Sequence, residues 1–358
     1  MNSMSGGKIN NPINTQRHSN SNSPYISVII LSYNYGHYLM RALEAIARQD
    51  FRDFEIVFVD DCSTDNSVAL LKQFCEVHPN ISVIPVLLQR NSGISVATRK
   101  GVEAANGQYL MIHGADDWMD DNTLRLVSDA AKTVDADRVI SAYRDVDDQG
   151  RIVQERLLGQ KPVHWLYGMQ HASLYRADIY KQESITGSTL WDDAETSFHF
   201  SAFTERVAYV FSPCYNYLVH LDSTSRKRGI YKKLLEDEYY SFGAFLDSCM
   251  AYLPTKISSD YDYAVYQLVR QYYSVIFTNL RDAPLAGKMD CYNHLHTILS
   301  KHIPDYLCTR KRALKDRYAL RPYARKVALL ASFFERLHIM KIGLIGYHIL
   351  SHFLYFLD

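Results

Sequence analysis

Residues 26–61 read ISVIILSYNYGHYLMRALEAIARQDFRDFEIVFVDD, which is two apolar runs of strand length with a helical pattern between them. The apolar runs lack alternating polar residues, as is typical of strands in a sheet that helices cover on both faces. In the middle segment, apolar residues recur at helical spacing at Leu39, Ala42, Leu43 and Ile46. A strand, a helix and a second buried strand predict parallel strands joined by a right-handed crossover.

The alternation of strands and helices continues to about residue 112. Residues 81–88 and 109–112 have the composition of strands, and a helical pattern over residues 95–105 lies between them. Another helix begins near Asp65, after the second strand. The predicted fold class is therefore α/β, with a Rossmann-like, mostly parallel sheet flanked by helices.

Beyond Arg138 the regular alternation ends. The sequence DDQG at residues 147–150 predicts a hairpin turn, and the patterns that follow predict a helix over 191–204 and a strand over 207–211. From Gly229 onward the pattern is helical almost throughout. We therefore expect a disordered Ser- and Asn-rich tail at 1–24, an α/β domain at 25–229, and an α-helical C-terminal region at 230–358 with segments near 230–252, 258–281 and 288–302.

The overall composition excludes several classes of protein. The 358 residues are 47% hydrophobic and carry 39 basic and 39 acidic side chains, so a general electrostatic attraction to nucleic acid is disfavoured. The six cysteines form no C-x-x-C pair, which indicates a reducing compartment and neither a disulfide framework nor a zinc ribbon. We found no apolar run of about 18 residues and no signal-peptide pattern, so we expect a cytoplasmic chain without a transmembrane helix.

The neutral total conceals a basic segment near the C-terminus. Residues 308–341 contain ten basic and two acidic residues, a local charge of +8, and residues 337–357 are mainly apolar and aromatic. Basic clusters beside an apolar amphipathic helix are typical of proteins that attach to anionic membrane surfaces. We therefore expect peripheral attachment at the inner face of the plasma membrane. The alternative is a helical cap on the α/β domain or a dimer interface.

Polar residues follow each predicted strand at its carboxyl end. They are Ser32, Tyr33 and Asn34, then Asp60 and Asp61, then residues 91–93, then Asp116 and Asp117. In a parallel sheet these ends meet at one edge, where ligands bind. Two adjacent carboxylates there suit a divalent cation that a diphosphate also ligates. The alternative is a surface loop whose acids only begin the next helix.

Four signatures in this half occur in the order that a known family shows. They are ISVIILSYNYGHYLMRALEAI, FEIVFVDDCSTDNS, NSGISVATRKGVEAANGQYLMI and GADDW, covering about Tyr25 to Trp118. In these segments the chain resembles the family 2 glycosyltransferases, which have the GT-A fold. WDDAETSFHF and PCYNYLVHLDSTSR are similar to the acceptor-half pattern of the same family and extend the resemblance to about Arg226.

The resemblance implies a reaction and its parts. The family transfers a sugar from a nucleotide diphosphate sugar, most commonly a UDP-sugar, to a hydroxyl group with inversion, and usually requires Mn²⁺ or Mg²⁺. The acceptor implied here is a glycan or a lipid-linked glycan in bacterial surface polysaccharide synthesis. We expect no nucleic acid partner.

The resemblance also assigns roles to individual residues. It implies that Ser32, Tyr33 and Asp61 hold the nucleoside, that Asp60 is a weaker candidate, that Asp116 binds the ribose and diphosphate, that Asp117 and His220 contact the metal, and that Asp193 is the catalytic base. Other interpretations stay open: Asp193 would be a helix N-cap, and His220 a packed histidine. Gly114 stands where many relatives have Asp, and Cys62 where Gly is more common.

Two other functions are compatible with parts of this pattern. The missing carboxylate at Gly114 keeps open a non-catalytic module that binds nucleotide sugars. A sugar nucleotidyltransferase is the second alternative, although that class usually has a Gly-rich phosphate loop with Arg and Lys near the first strand, and SYNYGHYL has none.

Overall fold

A computed structural model of the chain describes residues 23–158, 170–182, 192–204, 206–220, 242–254, 260–274, 283–304 and 343–345, with residues 276, 280 and 340. The strands are β1 (Ile26–Ser32), β2 (Phe54–Asp60), β3 (Val83–Leu87), β4 (Tyr109–Gly114), β5 (Trp118–Met119), β6 (Arg138–Val146), β7 (Ile152–Arg156), β8 (Ser173–Arg176) and β9 (Val207–Leu218). The helices are α1 (Gly36–Ala47), α2 (Ser67–Val77), α3 (Ile94–Ala104), α4 (Thr123–Val134), α5 (Ala177–Gln182), α6 (Asp192–Phe203), α7 (242–250), α8 (Tyr261–Ser274) and α9 (Leu285–His302).

The strands form one mixed sheet in the order β3-β2-β1-β4-β8-β6-β9-β5, with β7 paired to β6. Strands β3, β2, β1 and β4 are parallel, and β6 and β9 run parallel to each other. The antiparallel strand β8 lies between β4 and β6, so β6 and β9 point the same way as β4. The carboxyl ends of β1, β2, β4, β6 and β9 therefore share one edge, which we call the rim. The predicted α/β fold is confirmed.

Hydrophobic side chains pack on both faces of the sheet. Along β1, Val28 and Ile30 belong to one core, whereas Ile29 belongs to the core on the opposite face, beneath α3. This alternation follows from the two-residue period of a strand. Because both faces are covered, the strand is apolar along nearly its whole length, as the sequence indicates.

A third hydrophobic core lies among the C-terminal helices α7, α8 and α9, and α6 joins it to the sheet. Phe198 of α6 is buried in this C-terminal core, whereas Phe200 packs on Tyr175 and Tyr180 in the core under the sheet. Phe198 and Phe200 are two residues apart, so they point to different sides of the helix. One helix therefore contributes to both cores.

Some boundaries differ from the sequence prediction. The DDQG hairpin is present, and Asp147 Oδ1 accepts hydrogen bonds from the backbone N–H groups of Gln149 and Arg151. Strand β9 continues to Leu218, beyond the predicted end at residue 211, because the register shifts opposite residues 141–143 and accommodates Pro213 there. In the parts of the chain described, helix is present in all three predicted C-terminal segments.

Two predictions concern residues outside the described ranges. The predicted tail falls almost entirely there, and so does nearly all of the basic segment at 308–341. Among the helices that the structure does describe, none is long and apolar enough to cross a bilayer.

Candidate active site

The loops that follow β1 and β2 are tied together by side chain to backbone hydrogen bonds. Asn34 has a left-handed backbone, with φ of 57°, and its N–H donates to Ser63 Oγ over 2.9 Å. In return the N–H and hydroxyl of Thr64 donate to Asn34 Oδ1 over 2.8 and 3.2 Å. Two of the predicted nucleoside-binding residues adjoin this loop: Ser32 is buried, and Tyr33 is 42% exposed. The open ring of Tyr33 is available for stacking.

Asp60 and Asp61 are both buried at the end of β2. Asp60 Oδ2 accepts the N–H of Ser63 over 2.9 Å, and its Oδ1 finds no hydrogen-bond partner within the described residues. The two oxygens of Asp61 accept the backbone N–H groups of Ser92 and Gly93 over 2.7 and 2.8 Å. Each carboxylate oxygen has a second lone pair, so Asp61 retains the capacity to bind a further donor.

The neighbouring acids Asp116 and Asp117 have different environments. Asp117 is 1% exposed, and its oxygens accept the hydroxyl of Tyr215 over 2.7 Å and the N–H of Leu218 over 2.9 Å. Burial raises the pKa of Asp117, and the nearby carboxylate of Asp116 raises it further. Both oxygens of Asp117 therefore hold strand β9 in place at the rim.

The Asp116 carboxylate is the more open of the two and faces a histidine. Its side chain is 19% exposed, and Oδ2 lies 3.0 Å from Nε2 of His220. The other ring nitrogen of His220, Nδ1, is buried and has no partner among the residues described. The structure thus brings Asp116 and His220 together, although 104 residues separate them in sequence.

Two tyrosines that the sequence analysis did not single out surround His220. The ring centroids of Tyr35 and Tyr38 lie 6.0 and 5.3 Å from that of His220. Burial raises the pKa of Tyr35, and the charge of Asp116 adds to the effect. Both tyrosines lie within the SYNYGHY motif, at residues 32–38. Their closeness in sequence to Tyr33 was the signal that could have identified them as site residues.

Gly114 leaves room for the carboxylates of Asp116 and Asp117, which we call the acid pair. A Cβ atom at this position would lie 2.7 Å from Asp116 Oδ1 and 2.9 Å from Asp117 Oδ2, closer than real Cβ atoms approach other atoms. The preceding residue, His113, is fully buried and lies with Nδ1 2.7 Å from the Gly114 carbonyl oxygen. Burial lowers the pKa of His113 to about 4, so this ring is neutral at physiological pH.

Two side chains at the rim could coordinate the predicted metal ion. No group of three or more His, Cys, Asp or Glu side chains in the described ranges is arranged to hold a metal ion. Asp116 and His220 offer one oxygen and one nitrogen donor. Such a pair fits a divalent cation that takes its other ligands from a diphosphate and water.

The predicted catalytic base, Asp193, lies in the first turn of α6, and its side chain is outside what the structure describes. The helix itself is held from two sides. The guanidinium of Arg138, which is fully buried, donates to the hydroxyl and carbonyl of Ser197 over 3.2 and 3.4 Å. On the other side, the hydroxyl of Ser248 in α7 donates to Oε1 of Glu195 over 2.5 Å.

Comparisons with known proteins agree with this architecture. Residues 27–189 match the family model described as "Glycosyl transferase family 2". Over 249 residues the chain is 26% identical to "Putative glycosyltransferase EpsH" of Bacillus subtilis (strain 168), covering 63% of this chain and 70% of that one. Over 99 residues it is 37% identical to "Putative teichuronic acid biosynthesis glycosyltransferase TuaG" of the same strain, covering 27% and 38% of the two chains.

Among solved structures, S. aureus TarS 1–349 in complex with UDP-GlcNAc is similar to this chain with a TM-score of 0.65. The two share 16% sequence identity, and the match covers 92% of this chain and 91% of TarS 1–349. The likeness confirms the predicted GT-A fold, including the presence of C-terminal helices.

Proposed function

We propose that this chain, whose residues 27–189 match the family 2 glycosyltransferase model, transfers a sugar, with inversion, from a UDP-sugar to a hydroxyl of a glycan or lipid-linked acceptor in bacterial surface polysaccharide synthesis. The observation that carries the proposal is the pairing of Asp116 with His220 at the rim. The names of the relatives EpsH and TuaG, and the UDP-GlcNAc bound to TarS, support this choice of reaction and donor.

The nucleoside lies, in this proposal, across the loops after β1 and β2. Tyr33 offers its exposed ring to the uracil base, and Asp61 accepts a hydrogen bond from the base or ribose. Ser32 and Asp60 lie beneath them, each with a buried oxygen that has no partner in the described part of the chain. Buried oxygens of this kind support the prediction that these two residues hold part of the donor.

A divalent cation, Mn²⁺ or Mg²⁺, would be held by Asp116 and His220 in this proposal. When bound, it supplies positive charge that stabilises the departing diphosphate. Asp117, which the resemblance implies as a metal ligand, is 1% exposed and is held by Tyr215 and Leu218 of β9, whereas the Asp116 side chain is 19% exposed. We therefore propose that Asp117 mainly fixes the position of Asp116, its neighbour.

Asp193 is proposed as the general base. An oxocarbenium-like transition state requires removal of the acceptor hydroxyl proton as the new bond forms, and the base must lie within about 3 Å of the acceptor oxygen. The support comes from the WDDA motif and from the anchoring of α6 by Arg138 and Ser248. A fixed helix would keep its first turn in a constant position.

The decisive experiment separates donor binding from transfer. Calorimetry with UDP and Mn²⁺, and transfer of a radiolabelled sugar, are measured for the wild type, Asp116→Asn, Asp193→Asn and the control Asp121→Asn, whose side chain is 65% exposed. We expect Asp116→Asn to weaken binding, Asp193→Asn to abolish transfer while binding is retained, and Asp121→Asn to match the wild type. A wild type that neither binds UDP with Mn²⁺ nor transfers sugar would refute the proposal.

The alternatives are tested with the same proteins. A non-catalytic binding module would bind a nucleotide sugar but transfer nothing, so Asp193→Asn and wild type would be equal. A nucleotidyltransferase would release pyrophosphate from a nucleoside triphosphate and a sugar phosphate. A thermal-shift screen against UDP-, GDP-, CDP- and dTDP-sugars with Mn²⁺ identifies the donor.

We also propose that the basic segment at 308–341 attaches the protein to an anionic membrane surface at the cytoplasmic face. The support is the local charge of +8 in this segment, with the apolar residues that follow it. The test is sedimentation of the full chain and of a chain ending at residue 307 with liposomes that contain or lack anionic lipid. Equal binding of both chains to anionic liposomes would refute the attachment.

A further inference from the structure

Arg41 of α1 makes two kinds of contact with the loop that carries the acid pair. Its Nη2 donates to the backbone carbonyl oxygen of Asp116 over 3.0 Å. Its guanidinium carbon lies 3.9 Å from the ring centroid of Trp118 and 5.6 Å from that of Tyr38. A planar guanidinium both stacks on an aromatic face and donates in its own plane, so one side chain contacts the residues on either side of Asp117: the backbone of Asp116 and the ring of Trp118.

The loop held by Arg41 is a tight turn. The N–H of Asp117 donates to the Gly114 carbonyl over 3.2 Å, and the N–H of Ala115 donates to Leu31 over 3.2 Å. The carboxylate of Asp116, by contrast, contacts His220. Arg41 therefore fixes the backbone of Asp116 independently of the side-chain contact that a metal would alter.

The charge of Arg41 is also suited to this place. Burial lowers its pKa, while the charges of Tyr38, Asp117 and Asp116 act in the opposite direction. A cation beside two adjacent carboxylates reduces their mutual repulsion.

A second arginine, which directly follows the last residue of α1, provides a comparison. Arg48 follows Arg41 by two helical turns and contacts the same chain segment, with Nε 3.2 Å from Asp121 Oδ1. The Arg48 and Asp121 side chains are 55% and 65% exposed, and exposed ion pairs of this kind contribute little. Arg48 thus matches Arg41 in residue type and target segment, but not in burial or stacking.

From these contacts we propose that Arg41 is a positioning residue, which holds the Asp116 carboxylate in the orientation that binds the divalent cation and donor diphosphate. The inference rests on the proposed function for the identity of the ligand. The orientation itself is a property of the free protein, and is measurable without ligand.

The experiment compares wild type with Arg41→Met, Arg41→Lys and the control Arg48→Met. Hydrogen–deuterium exchange of the peptide covering residues 113–120 reports the turn, and Mn²⁺ titration with UDP, followed by electron paramagnetic resonance, reports the cation affinity. For Arg41→Met we expect faster exchange in this peptide and about tenfold weaker Mn²⁺ binding. Arg41→Lys keeps the charge and a donor but not the planar stack, so we expect intermediate values in both measurements.

The outcomes separate this inference from the proposed function. If Arg41→Met and Arg48→Met exchange at the same rate in this peptide and bind Mn²⁺ equally well, the positioning role is wrong whatever the protein does. If wild type binds no Mn²⁺ with UDP while Arg41→Met accelerates exchange, the proposed function fails and the hold on the turn is supported. If Arg41→Met does not fold, the same two measurements on Arg41→Lys and Trp118→Phe test the positioning role. Trp118→Phe retains an aromatic face.

Discussion

Two adjacent aspartates at the rim have different roles because their surroundings differ. Asp117 is tied to β9 through Tyr215 and Leu218, whereas Asp116 faces the rim opening with His220. The two aspartates cannot be distinguished from the sequence DD alone, because the difference comes from strand β9, which lies about 100 residues later in the chain. Their distinction depends on tertiary structure.

Gly114 offers a direct test of the space around the acid pair. We expect Gly114→Ala to weaken UDP and Mn²⁺ binding by roughly tenfold, because the new Cβ must displace the two carboxylate groups. Stability should change less, since the displaced atoms are the ends of side chains. Calorimetric titration measures the first effect and thermal unfolding the second.

The matched control for this substitution is Gly243→Ala, because a Cβ at Gly243 would have no atom within 4 Å. We expect ligand binding like that of wild type for the control. Equal binding by both variants would show that the acid pair tolerates a side chain at residue 114.

Buried neutral histidines predict a loss of stability in mild acid. Burial lowers the pKa of both His113 and His199 to about 4, whereas a histidine in the unfolded chain titrates near about 6.5. Between these values the unfolded chain binds more protons, so the free energy of unfolding falls as pH falls. Each histidine contributes about 1.4 kcal/mol per pH unit in that window.

This pH dependence is measured by urea unfolding at about pH 7 and about pH 5. We expect His113→Gln to lose less stability than wild type over this interval, and the control His294→Gln, at an exposed position, to behave like wild type. Parallel losses in wild type and His113→Gln would contradict the assignment of a buried neutral ring.

Cys62 shows what the resemblance could and could not supply at a single position. Glycine is more common there in the family, and the structure explains why: the backbone of Cys62 is left-handed, with φ of 63°. Such a conformation is costly for most side chains, at roughly 1–2 kcal/mol. The sequence marked the position as unusual, but the reason is a backbone angle.

Helix α6 is positioned by polar contacts that the sequence did not reveal. Glu195 and His199 lie one turn apart and both contact the hydroxyl of Ser248, over 2.5 and 3.1 Å. Glu195 is 1% exposed, and burial raises the pKa of its carboxyl group. The pattern of α6 predicted an amphipathic helix, yet its buried surface includes this acid.

We expect Ser248→Ala to lower the free energy of unfolding by about 1–3 kcal/mol, because the buried carboxyl of Glu195 loses its donor. Ser248→Thr retains a hydroxyl and should recover most of the loss. Thr297→Ala is the control, since that exposed hydroxyl bonds to the Asn293 carbonyl of its own helix. Chemical denaturation measures all three variants, and a Ser248→Ala value equal to that of the control would contradict the role of this contact.

The long strands and helices of the α/β half could be predicted because each has a strong hydrophobic period. Strands β5 and β8 and helix α5 could not, since they have two, four and six residues and are too short to show a period. They form where the sheet pairs them or where they pack on it. Strand β8 nevertheless matters, because it joins the two halves of the sheet between β4 and β6.

In the whole molecule, one hydrophobic core includes residues from both sides of the boundary predicted at residue 229. Phe198 of the α/β half is 2% exposed and belongs to the same core as Phe242, Phe245 and Val265 of α7 and α8. Hydrophobic contacts of this kind are expected to make the two parts unfold together.

We therefore expect a chain ending at residue 229 to be much less stable than the full chain and to aggregate, because the outer face of α6 would be exposed. Thermal unfolding and size-exclusion chromatography measure this. A truncated chain carrying Phe198→Ser is the informative companion, since it should aggregate less. A monomeric truncated chain with the thermal midpoint of the full protein would contradict the shared core.

The site could be predicted in part. The motifs after successive strands predicted correctly that their polar residues meet at one edge of the sheet, because the connectivity of α/β units determines which strand ends meet. The pairing of Asp116 with His220 and the stacked Arg41 depend on how β9 and α1 approach the rim. Those approaches are set by packing, which a linear pattern does not record.

Strand β9 extends from Val207 at the far edge of the sheet to Leu218 at the rim, and His220 follows two residues later. A single-residue insertion between Tyr215 and Leu218 would reverse the side to which later side chains point, and would shift them by about 3.3 Å along the strand. The strands could still pair, but His220 would no longer contact Asp116. Natural length variation among related chains should accordingly fall outside this strand, and an engineered insertion there would produce a folded protein with an incomplete catalytic edge.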